Sequence, residues 1–368
     1  MFSARSARSK LVHPMVSRIS TVLIAVSCFL LGSAAGQTDL DALIEAGHFK
    51  QVERALDASK SRDPETLYLL SKVKQSFGKT GEAVSLAEQA VKADPNKAKY
   101  HLQLADVLSD QAQTAGMFKK MSLAGRIHSE LDTAVKLEPK NPDCLFGLML
   151  FYQQAPGIAG GSKEKARQEA EEIAKIDASR GYLAQAQLAR GNKQNDRLED
   201  LYLKAVKADP RSVEALTALA SFYASQMEKK YEVADRYARQ ALDLDKTRIG
   251  PYVVCAEVAV AKQDWARLDE ILSESEQANG DDLNPFYQAG RGLLQMNREI
   301  PKAEQYFRKY LSEPPEGFAP PLSAAHWRLG LVLEKLGRKA DAIAQMEEAL
   351  RLQPDFENAK KDLKRLKG

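Results

Sequence analysis

Cysteine is scarce in this 368-residue chain, which contains only Cys28, Cys144 and Cys255. So few thiols cannot build a disulfide framework, and the fold must rest on a buried core. Histidine is nearly as sparse. Beyond His13 near the start, His48, His101, His128 and His326 lie far apart in sequence, without metal-ligand spacing to a cysteine or an acid, so no metal site is expected. No Gly-x-Ser-x-Gly elbow occurs. Gly157 to Lys163 has the glycines of a phosphate-binding loop, but its serine precedes its lysine. That order reads better as a turn in which Ser162 caps the helix containing Ala166 and Ala170. No catalytic residue and no cofactor are expected, and the chain does not read as an enzyme.

Charge of one sign is also missing. The chain carries 53 basic and 50 acidic residues, a net charge of +3. Residues 1–35 hold four of the bases (Arg5, Arg8, Lys10 and Arg18) and no acid, so the remainder stands at −1. A nearly neutral body with interspersed signs has no electrostatic footprint for nucleic acid. Long apolar runs are confined to Ile19–Leu31, which the small residues Gly32 to Gly36 follow. A basic head, an apolar core and a small-residue exit form the pattern of a secretory signal peptide. Cleavage before Gly36 gives a periplasmic or extracellular protein. Retention of residues 19–35 gives an inner-membrane anchor instead, although the run is short for a span.

What recurs instead is a pattern of small residues at helical spacing, closed by a proline. The clearest copy reads Leu329, Gly330, Leu333, Ala342, Met346, Ala349 and Pro354, and another reads Leu70, Ala83, Ala87, Ala90 and Pro95. Leu329 and Leu333 share a face of one helix, and Ala342, Met346 and Ala349 form the stripe of a second. Gly330 and Ala342 are small where the two helices should cross, and Pro354 lacks the N–H needed to continue the second. Further copies use Leu104, Ala105, Leu131, Ala134 and Pro139; Leu148, Tyr152, Ala166, Ala170 and Ile173; Ala186, Tyr202, Ala205 and Pro210; and Leu219, Ala220, Tyr223, Ala234, Ala238 and Ala241. Cys255, Ala256, Leu268 and Leu272, then Ala289, Gly290, Ala303, Phe307 and Tyr310, are looser copies. A truncated first unit runs through Val52, Leu56 and Ser59 to Pro64.

This arrangement resembles the tetratricopeptide repeat (TPR) family and covers nearly all of the chain after residue 36. The resemblance implies an all-α, right-handed superhelical solenoid of antiparallel helix pairs, with about nine repeats and a C-terminal capping helix. The chain then divides into a leader at 1–35, repeats one to eight at 36–313, a proline-rich connection at 314–322, repeat nine at 323–356 and the capping helix at 357–368. Repeats three and four are too long, near Gln111 to Met121 and at Ala155 to Gly161. Such insertions map to loops on one face. The connection, with Pro314, Pro315, Pro320 and Pro321, should be stiff and extended. Cys144 and Cys255 fall on first helices three repeats apart, too far for a disulfide, and should be free and buried.

In this family the first helix of each pair lines the groove, through positions 2, 5, 9 and 12. Position 5 reads Tyr68, Leu102, Phe146, Leu183, Thr217, Val253, Tyr287 and Trp327. Polar neighbours include Lys72, Gln75, Asp106, Gln153, Gln187, Arg190, Glu257, Arg291 and Glu334. An apolar strip beside polar groups suits an extended peptide or an amphipathic helix; a one-residue slip of register would instead make it inter-helix packing. The Lys-x-x-x-Asn and Lys-x-x-x-Arg clamp, with which some family members hold a terminal carboxylate, is missing from these first helices. The resemblance thus implies a non-catalytic envelope scaffold for a partner protein or peptide. The alternatives are a transporter-associated carrier of an apolar small ligand and a membrane-anchored assembly scaffold.

Overall fold

The structure is a computed structural model that describes residues 40–225 and 228–368. The expected leader at 1–35 lies outside the described residues. From Leu43 to Gly368 the chain forms one compact unit. It is built of helices, with no strand among the described residues.

Repeat one contributes Phe49–Ser59. Repeats two to five pair Pro64–Ser76 with Thr80–Ala93, Ala98–Thr114 with Met117–Leu137, Pro142–Gln154 with Lys163–Ile176, and Ala178–Gly191 with Leu198–Ala208. Repeats six to nine pair Val213–Ala224 with Tyr231–Leu244, Ile249–Lys262 with Trp265–Ala278, Asn284–Met296 with Ile300–Tyr310, and Leu322–Lys335 with Lys339–Leu352. Glu357–Lys367 closes the array.

The proline signal works as expected. The second helices of repeats two, three, five and nine end two residues before Pro95, Pro139, Pro210 and Pro354. In repeat four, where Ala178 takes the proline's place, the link shrinks to Asp177, whose side chain accepts the Arg180 N–H (3.0 Å) and so caps the next helix. Ser162 caps Lys163–Ile176 as expected, accepting from the Lys165 N–H.

The alanine stripes are fully buried. Ala83, Ala87 and Ala90, then Ala234, Ala238 and Ala241, then Ala342, Met346 and Ala349 are at most 1% exposed. A Cβ on Gly330 would lie 2.8 Å from Met346 Cε and 3.2 Å from the Ala342 carbonyl oxygen, so the crossing there requires glycine. First helices of neighbouring repeats pack against one another, whereas second helices of neighbouring repeats make no comparable contact among the described residues. The stack therefore curves with the first helices on its inner side. Cys144 and Cys255 are free and buried, and burial pushes both thiols up to about 12.

Two expectations are corrected. The excess of repeat three is not a loop: it lengthens both helices, to 17 and 21 residues, leaving only Ala115 and Gly116 between them. The segment contains no proline, and the chain turns over Ala115 and Gly116, with Gly116 as N-cap of the second helix. The excess of repeat four does form a loop, with a 3-10 turn at Gly157–Ala159. The proline-rich connection is not an extended rod either. It folds through turns onto the first two repeats, because Glu316 and Phe318 anchor it there.

That contact brings the chain back on itself. The Phe318 N–H donates to the Ser76 carbonyl (2.8 Å), and its ring meets Phe49 edge-on at 5.4 Å. The Lys50 N–H donates to Glu316 Oε1 (3.0 Å). A Cβ on Gly317 would lie 2.4 Å from Ser76 Oγ, so the close approach is possible only for glycine. Alongside, Arg54 grips Asp281 through its two terminal guanidinium nitrogens (2.6 and 3.2 Å), Lys50 Nζ donates to the Asp281 carbonyl (2.7 Å), and Asn279 bonds to His48 (2.9 Å).

Candidate functional site: the inner face

On a first helix, positions 2, 5 and 9 point the same way, because three- and four-residue steps keep one helical face. Stacking turns these positions into rows. The position-2 row, Glu65, Lys99, Asp143, Arg180 and Glu214, alternates in sign. Lys99 pairs with Glu65 and Arg180 with Asp143, so this rim is largely neutralised within the protein.

The position-5 row is uneven. Tyr68 and Tyr287 are buried. Tyr68 lies 5.5 Å from the Tyr100 ring, and Tyr287 packs against Phe307 and Tyr310 while its hydroxyl accepts from Arg328 Nε (2.8 Å). Leu102, Phe146, Leu183 and Val253 are half-buried, their outer surfaces open on the inner face. Thr217 Oγ1 donates to the Val213 carbonyl (2.6 Å). Trp327 is tied to the C-terminal helix region: its Nε1 donates to Asp362 (2.9 Å) and its ring meets Phe356 at 5.4 Å.

The position-9 row is more open. It reads Lys72, Asp106, Leu150, Gln187, Ser221, Glu257, Arg291 and Leu331, none of them buried. Arg291 pairs with Glu257 (3.2 Å), whose carboxyl is raised by burial despite that cation. At position 12, Arg190 is exposed and bonds to the Tyr202 hydroxyl, Gln75 donates to Asp110 (2.8 Å), and Gln153 reaches the Gln187 carbonyl (3.4 Å).

Asp106 differs from its neighbours. Its side chain is open to solvent, yet protein surrounds it on the curved inner side. Partial desolvation therefore pushes its carboxyl up to about 6, with Lys72 opposing and Asp110 reinforcing the shift. Neither Asp106 nor Lys72 forms a hydrogen bond or ion pair among the described residues, and the Lys72 ammonium lies over the Tyr68 ring at 5.4 Å. No group of histidine, cysteine, aspartate or glutamate among the described residues has the arrangement of a metal site. The sequence singled out Lys72 and Asp106 as polar neighbours. It missed the rim ladder, although its signal, alternating charge at one position of successive repeats, was present.

A stack of helix hairpins with accessible rows on its inner side defines an α-solenoid, a class whose working part is a surface. Residues 64–97 and 323–356 each match the tetratricopeptide repeat family model, so the chain contains tetratricopeptide repeats. Among solved structures it is similar to a monomeric mutant of IFIT1, with 17% identity, 83% of this chain and 70% of that chain covered, and a TM-score of 0.51. It is also similar to yeast Tom70 (12% identity, 91% and 88% covered, TM-score 0.48). A tetratricopeptide repeat protein from Parabacteroides merdae is a further match (14%, 84% and 100%, 0.43). Identities this low concern the fold alone. A search of curated proteins finds no match to this sequence. Repeats of this family in general serve as protein–protein interaction scaffolds and are generally not catalytic.

Proposed function

We propose that this protein is a non-catalytic scaffold of the cell envelope that holds an extended peptide or a segment of a partner protein on its inner face. The observation that carries this reading is the position-9 row. Asp106 and Lys72 stand accessible there, neither in a hydrogen bond or ion pair among the described residues, beside the half-buried apolar surfaces of Leu102 and Phe146. A partner would cover those apolar surfaces and supply the missing polar contacts, which is the division of labour expected of a peptide groove. The envelope location rests on the leader pattern of residues 1–35.

The test combines Asp106→Lys with Ser221→Trp, two changes at accessible sites that leave the core untouched. Partners cross-linked in envelope fractions would be identified by mass spectrometry of proteins and of small molecules. Recovery of the protein partner should fall about tenfold or more, as for loss of a central contact, with unchanged circular dichroism. Unchanged recovery would refute the groove, and an apolar small molecule in place of a protein would favour a carrier. Sequencing of the mature N-terminus tests the leader, with Gly36 as the expected first residue.

A further inference from the structure

Two departures from the repeat pattern play no part in this inner face. In a stack of antiparallel hairpins, the turns within each repeat all fall on one edge, and the turns between repeats fall on the other. The lengthened hairpin of repeat three and the glycine-rich loop of repeat four are both within-repeat turns of adjacent units. They therefore share an edge, and the 3-10 turn of the loop packs against Met117–Leu137.

Both turns expose large apolar side chains: Phe118 is 94% exposed, Met117 73% and Ile158 88%. Exposed apolar residues are ordinary singly, but here they crown two neighbouring projections. Their setting is cationic. Lys119, Lys120 and Lys163 are exposed and form no ion pair among the described residues. No acid occurs from residue 111 to 129 or from 144 to 163, although acids number 50 in the chain. Surface lysines elsewhere, such as Lys136, Lys175 and Lys204, have acidic partners one turn away.

We propose that this edge docks on an anionic lipid surface, with Met117, Phe118 and Ile158 entering the headgroup region and Lys119, Lys120 and Lys163 facing the lipid phosphates. Apolar tips flanked by unpaired lysines, with the nearest acid in sequence, Glu164, already paired with Arg167, have the charge complementarity such a surface requires. A protein groove of opposite charge is the competing occupant, and the test separates the two.

The probe is a set of vesicles of phosphatidylcholine, alone or with one-third phosphatidylglycerol, mixed with the full chain. In Phe118→Trp the added indole reports its own depth, read as the difference from the parent emission of Trp265 and Trp327. We expect a blue shift and quenching by brominated acyl chains with the anionic vesicles, and little with the neutral ones. Met117→Ser with Phe118→Ser and Ile158→Ser should weaken vesicle binding at least tenfold. Lys119→Glu with Lys120→Glu should weaken it by about twenty-fold or more, since each lysine near an anionic surface is worth about fivefold. Residues 1–35 are basic and apolar, so parent and variants are compared at the same leader content, and the indole at 118 reports this edge alone. An indole at 118 that stays in water overturns the proposal. So does vesicle binding that is equal in parent and variants with retained helicity.

Discussion

A carboxyl held in a dry contact makes that contact depend on pH, and Glu316 is such a group. It is 2% exposed, its Oε1 accepts the backbone N–H groups of Lys50 and Gly317, and its Oε2 has no partner among the described residues. Burial pushes its pKa up to about 7 against the two backbone donors and Lys50, with Asp282 adding to the rise. The folded pKa lies above the ordinary 4.5, so the protonated form belongs to the folded contact. Its stabilisation is full below pH 4.5, is lost as the pH rises to about 7, and is level above that. Buried His48 acts in the opposite sense. Desolvation lowers its pKa below 6.5, so stability falls as the pH drops below that value. In a comparison of Glu316→Gln with the parent the histidine contribution cancels. The variant should melt like the parent near pH 5 and be more stable at pH 8 by on the order of 2 kcal/mol; equal melting at both pH values would contradict this. Gly330→Leu is a second residue-scale prediction. A side chain where a Cβ already lies 3.2 Å from the Ala342 carbonyl should cost about 1–3 kcal/mol in chemical denaturation.

At the scale of elements, the C-terminal helix is the piece most open to a direct test. It covers the last repeat with Ala359 and Leu366, both buried, and with Asp362 on the Trp327 indole, while Arg365 reaches Glu334. Leu366→Asp should detach it, shifting Trp327 emission to the red and lowering the melting temperature by several degrees; Trp265 should not respond. The helices and their ends were legible in the sequence because their causes are local. Ala342, Met346 and Ala349 mark a stripe, and each proline marks a stop. The accessible side of the first helices was legible for the same reason. Tyr68 and Tyr287 were less so, since a long ring at position 5 can turn back between helices. The lengthened helices of repeat three read as a loop because insertions in repeat arrays map to loops, yet here the added residues continue both helices and Gly116 is the N-cap of the second.

At the scale of the whole molecule, the decisive contact was invisible in the sequence. Lys50 and Glu316 are 266 positions apart, and no periodicity relates them. Phe318→Ala together with Arg54→Ala removes the edge-on ring and the two-pronged ion pair. We expect the radius of gyration in small-angle scattering to increase while far-ultraviolet circular dichroism stays the same, because every helix pair keeps its own neighbours. A scattering curve identical to the parent's would mean that other contacts hold the return of the chain.

The same separation has a consequence for biosynthesis. At about 5–20 residues per second, the ribosome takes roughly 13–50 s to travel from Lys50 to Glu316. During that time Phe49 and the Lys50 N–H wait without Phe318 and Glu316. The nascent protein is therefore an open array first, and the closed form arises only after Glu316 and Phe318 have been made.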